Sequence, residues 1–115
     1  MSEFKKYMHI ERFGNIEVNG IDMGECYIFP KIDGTNSQLW SNNGELKAGS
    51  RNRTLTLDKD NAGFYKWAVS NMIKWNIFLF NPNLRLYGEW LVPHTLKNYQ
   101  DNAWRNFYVF DVFVI

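Results

Sequence analysis

What is scarce in this sequence narrows it first. Cys26 is the single cysteine, which excludes an internal disulfide and any zinc site built from several thiolates. That usage fits a reducing compartment. The longest apolar run, near "NIFLF", falls far short of the roughly 20 residues that a membrane helix needs. The opening "MSEFKKYMHIERF" has no apolar signal core. Excess charge is missing too. The formal net charge is +1, which argues against a non-specific basic coat on nucleic acid. Any such contact must come from a local arrangement of Lys and Arg. Repeats, low-complexity tracts and linkers are absent, so one domain is expected over residues 1–115. The expected setting is cytoplasmic, with no membrane partner.

What is present is material for a core. Hydrophobic residues make up 45% of the chain and aromatics 17%, too many for a disordered segment. "GECYIFPKID" alternates and is β-rich, predicting a strand over Glu25 to Phe29 that stops at Pro30, which cannot donate to a ladder. Cys26 is expected to be an inert buried thiol there. "NSQLWSNNGELKAGS" predicts a hairpin with arms Gln38 to Ser41 and Glu45 to Ala48 around the turn pair Asn43-Gly44. "DKDNAGFYKWAVSNMIKW" predicts a helix with Phe64, Trp67, Ala68 and Met72 on one face and Asp60 or Asn61 as cap. "NPN" at 81 to 83 is a turn. Two more strands, "LRLYGEWLV" and "FYVFDVFVI", follow, joined by the polar stretch "PHTLKNYQDNAW". Strands, then a helix, then strands predict an α+β fold with an antiparallel β-sheet core and a flanking helix.

"PKIDGTN", residues 30–36, is where chemistry enters. In an extended segment Lys31 and Asp33 point to one side. Gly34 lets the chain turn and a ligand approach the backbone, and Thr35 and Asn36 add short hydrogen-bonding groups. A nucleophilic lysine must be neutral, which needs burial, a neighbouring cation or a metal; Asp33 alone works the other way. The plainer alternative is a surface strand end closing in a turn. "AGSRNRTL" supplies Arg51 and Arg53, whose planar donor forks suit phosphate or ribose oxygens; the alternative is a solvated basic loop. "YGEW" sets Glu89 after a glycine, and "YVFDVFV" sets Asp111 inside an apolar strand, where a carboxylate is costly unless paired or facing a cleft. Neighbours Phe110 and Asp111 should face opposite sides. Trp67, Trp75, Trp90 and Trp104 read as core, and His9 and His94 as solvated residues.

Taken in order, these stretches resemble the nucleotidyltransferase domain of ATP-dependent RNA ligases, in particular the phage T4 RNA ligase 2-like group. "KIDGTN" resembles nucleotidyltransferase motif I, "SRNR" motif Ia, "YGEW" motif III and "VFDVF" motif IIIa. "FKKYMHIER" resembles the segment leading into that domain. DNA ligases and mRNA capping enzymes share the lysine motif, and a non-catalytic nucleotide- or RNA-binding fragment is a further alternative. The Asn after "DGT" and the "YGEW" form favour RNA ligase.

The resemblance implies the first part of an ATP-grasp-like nucleotidyltransferase domain. Lys31 would take AMP from ATP as a lysyl-AMP, pass it to an RNA 5′-phosphate, and a 3′-hydroxyl would then displace it. Arg51 and Glu89 would hold the ribose side, Phe110 would stack on adenine, and Asp111 would serve the later steps. Phe29, Pro30, Ile32, Asp33, Gly34 and Asn36 would complete the nucleotide site around motif I. Magnesium is the implied ion, with no residue singled out as its ligand, and RNA ends are the implied partner. RNA ligase 2 itself carries histidine where Asp33 stands, and many relatives carry glutamate where Pro30 stands. Motifs IV and V of the family do not appear. Together with the apolar ending "FVI", this predicts a partial domain and self-association through an exposed C-terminal strand.

Overall fold

A computed structural model describes residues 3–10 and 15–115, without the side chains of Met72 and Ile73. Four strands make one antiparallel sheet: β1 (Thr35–Asn42), β2 (Glu45–Gly49), β3 (Leu84–Trp90) and β4 (Phe107–Val114), in the order β2-β1-β3-β4. The β1–β2 hairpin is the one the sequence predicts. Asn43 and Gly44 both take positive φ, 53° and 81°, the geometry of a two-residue hairpin turn. The α+β expectation holds.

Short helices cover one sheet face. α1 (Phe64–Ser70) is followed by a 3-10 turn at Met72–Trp75 and by α2 (Ile77–Phe80). The core lies between them and the sheet: Leu39, Leu46, Ala48, Leu55, Phe64, Ala68, Phe78, Leu84, Leu86 and Trp90 are buried together. Trp67 and Trp75 pack against this cluster, as expected. Trp104 does not; it is half-buried and meets Tyr99 edge-on at 5.3 Å.

The single long helix expected from 58 to 75 is broken, for local reasons. Ala62 and Gly63 take φ of 52° and 83°, so α1 starts only at Phe64. Asp60 still caps it from upstream, accepting from the amides of Tyr65 and Lys66 at 2.8 and 3.0 Å. At the other end, Asn71 Nδ2 takes the Trp67 carbonyl at 2.7 Å and the Trp75 indole takes that of Ala68 at 3.0 Å. Side chains thus claim the carbonyls that the next turn would use. The side chain of Met72, expected on the same face, lies outside the described residues.

The strand expected at Glu25 to Phe29 does not form. Among the described residues no strand pairs with it, and Tyr27, Ile28 and Phe29 are 76%, 94% and 78% exposed. Cys26 is exposed as well, so the buried thiol is corrected to a surface one. β4 is an edge strand, with Val112 and Val114 52% and 77% exposed.

Candidate functional site

Antiparallel pairing brings β1's start, β2's end, β3's end and β4's start to the same end of the sheet. Motifs I, Ia and III sit at these ends, while motif IIIa runs through the middle of β4, with Asp111 opposite Tyr87. On the face away from α1, the paired residues Asn36, Glu89 and Tyr108 form one row. Gln38, Tyr87 and Asp111 form the next, and Trp40, Arg85 and Phe113 the one after.

Motif I enters this end from a loop. Lys31, Pro30 and Phe29 are exposed, and Ile32, Asp33, Gly34 and Asn36 are half-buried. Gly34 is required by space: a Cβ there would stand 2.2 Å from the Trp90 carbonyl oxygen. Its amide donates to Glu89 Oε2 at 3.1 Å, which ties motif I to motif III. Burial pushes the Glu89 carboxyl above the ordinary carboxylate range. The Gly34 amide, Arg51 and Lys31 oppose that rise, while the Asp33 charge adds to it. Lys31, Asp33, Arg51 and Glu89 therefore share one electrostatic neighbourhood.

Asp33 is engaged by the 93–104 connection. Its carboxylate accepts from the Leu96 amide at 2.6 Å and lies 3.3 Å from His94 Nδ1, while its own amide donates to the Tyr99 hydroxyl at 3.0 Å. The Leu96 amide first, with His94 and against the opposing effect of burial, holds its pKa below the ordinary value. His94 is solvated, as expected, yet it touches the motif. Nothing in the sequence marked His94, Leu96 or Tyr99 as its partners. Arg53 has a different task from Arg51: its guanidinium donates to the carbonyls of Lys59 and Asp60, bracing the loop before α1.

Phe110 and Asp111 depart from the expected alternation. Tyr87 pairs with Asp111 but Gly88 with Val109, so Phe110 is the extra residue of a β-bulge. The bulge lets both residues reach one neighbour, Tyr7, rather than opposite sides. Tyr7 donates its hydroxyl to Asp111 Oδ2 at 2.7 Å, and its ring meets Phe110 edge-on at 5.2 Å. Asp111 Oδ1 also accepts from the Val112 amide at 2.9 Å, so the carboxylate in this apolar strand is paired. Burial first, then the Asp111 bond and charge, push the Tyr7 phenol up to about 12. Of the opening segment, Glu11 and Arg12 lie outside the described residues.

A family model described as RNA ligase matches residues 24–115. The chain belongs to the RNA ligase family. No curated protein matches it. The match takes in Lys31, Arg51, Glu89, Phe110 and Asp111. Among the described residues no helix of this RNA ligase family domain is long and apolar enough to cross a membrane.

Proposed function

We propose that this RNA ligase domain works with ATP and seals RNA ends through an AMP carried on Lys31. The observation behind this reading is the exposed Lys31 amine in the same field as Arg51 and the half-buried Glu89. In the first step the neutral Lys31 amine bonds to the α-phosphorus, the bond to the β-phosphate oxygen breaks, and pyrophosphate leaves. The AMP then moves to an RNA 5′-phosphate, and a 3′-hydroxyl attacks that activated end and releases AMP.

The donor set fits the nucleotide. Lys31 and Arg51 are cations for phosphate, Glu89 is an acceptor for ribose hydroxyls, and the half-exposed Phe110 ring offers a π face to a base. Among the described residues no group of three His, Cys, Asp or Glu could hold a metal by itself. A magnesium ion carried on phosphates needs only one or two protein carboxylates, and Glu89 and Asp111 supply carboxylates on this face. Such an ion would neutralise phosphate charge and favour the uncharged amine.

Intact mass tests the reading. The protein incubated with ATP and magnesium should gain the mass of one AMP. Lys31→Ala should gain none, and neither should Lys31→Arg, because arginine supplies no neutral amine. An adduct that persists in both variants would remove Lys31 from the mechanism. Parallel joining assays on nicked RNA and nicked DNA should favour RNA.

A further inference from the structure

Residues 3–7 lie as a strap across the sheet face that carries Glu89 and Asp111, and β3 dictates where. Arg85 and Tyr87 alternate onto that face and are 2% and 1% exposed, so their donors need acceptors inside the fold. The strap supplies one to each from its backbone, while Arg85 Nη1 finds no hydrogen-bond partner among the described residues. Arg85 donates to the Glu3 carbonyl, and the Tyr87 hydroxyl to the Lys5 carbonyl at 2.8 Å. Phe4, between them, meets Trp40 edge-on at 6.1 Å. Two residues past Lys5, the chain delivers Tyr7 into an aromatic nest: Tyr87 at 4.9 Å, Phe110 at 5.2 Å and Phe113 at 6.0 Å.

We infer that Tyr7 is a positioning residue for the nucleotide site, its ring setting the attitude of Phe110 and its hydroxyl anchoring that ring on Asp111. This rests on the proposed role of Phe110 as the base platform. The bulge is the reason such a residue is needed. An extra residue without a strand partner has a looser backbone than its neighbours, so a ring borne on it needs support from outside the ladder. Tyr7 gives that support while leaving room for a ligand. Its contact is edge-on at 77°, and Phe110 remains 50% exposed. A strap that occupied the base's seat would instead cover the ring.

The test uses the whole protein and α,β-methylene-ATP, an analogue that binds without transferring AMP. Affinity is measured for the parent, Tyr7→Phe and Tyr7→Leu, below the melting transition of each. Tyr7→Leu should weaken binding by about tenfold, within the range lost when a base-aromatic stack is disturbed. Tyr7→Phe keeps the ring and loses only its anchor, so it should fall between parent and Tyr7→Leu. A merely structural role predicts lower melting temperatures in that order with affinity per folded molecule unchanged, and that result overturns the inference. Tighter binding by Tyr7→Leu overturns it as well, because the strap would then be a blocker. If the analogue binds in the expected order while Lys31 never takes AMP, Tyr7 stands and the ligase chemistry falls. A parent that does not bind the analogue at all overturns both.

Discussion

Glu89 is held at the cost of its own charge. Its folded pKa lies above the ordinary 4.5 because burial outweighs its favourable neighbours. A carboxyl raised in this way adds stability below its unfolded pKa and gives it up as pH climbs through the folded one. Glu89→Gln should therefore melt higher than the parent at pH 7, and the difference should vanish below about pH 4, where the parent is also neutral. The same variant should form lysyl-AMP about 10²–10³ times more slowly, the usual loss for one preorganised contact. A lower melting point at pH 7 would show that the carboxylate is structural. Glu89 was readable because it sits in a short ordered motif. Tyr7 was not readable as the partner of Asp111, since the two are 104 positions apart and only the folded sheet brings them together. His94 and Leu96 hid for the same reason, in a connection with no periodicity to place it.

Elements were legible where the local chemistry was complete. The hairpin carried its own turn pair, and β3 and β4 carried enough β-branched and aromatic residues to be seen. A strand at 25–29 had the right composition but no partner, and β-propensity is packing against neighbours more than a property of the segment. The helix break was written in Gly63 and Asn71, but an asparagine in a helical pattern does not by itself say that its side chain turns back onto the backbone, as Asn71 does to the Trp67 carbonyl. The bulge at Phe110 has no signal on its own strand; Gly88, across the ladder at the register shift, is the residue that allows the close approach. Gly34 is the tightest element junction. Gly34→Ala pushes a methyl into the Trp90 carbonyl, so β1 must move away from β3 where Lys31 is delivered. A loss of about 1–3 kcal/mol in chemical denaturation is expected, as for other overpacked sites. AMP uptake should fall further than stability does. An unchanged denaturation midpoint would mean that the junction relaxes freely.

At the scale of the whole molecule, the sheet has one face covered by helices and one crossed by the strap, while among the described residues β4 pairs with β3 alone. Val109, Phe110, Val112, Val114 and Ile115 are all about half exposed or more along that edge. Asp111 is the one charged residue of β4 and is hydrogen-bonded by Tyr7, so the strand carries little charge to guard its edge. Light scattering should show mass rising with protein concentration, and Val114→Lys should return the protein towards monomer. A concentration-independent monomer in the parent would show that the edge is guarded. The strap has its own consequence for inheritance. Positions 3 and 5 serve through their carbonyls, which every residue possesses, and both side chains are exposed. They are free to drift. Positions 4 and 7 serve through their rings and are not. In a lineage of such sequences, an aromatic-x-x-aromatic spacing at the start should therefore persist while the letters between it scatter. A lineage that lost the second ring would be expected to change Phe110 and Asp111 soon afterwards.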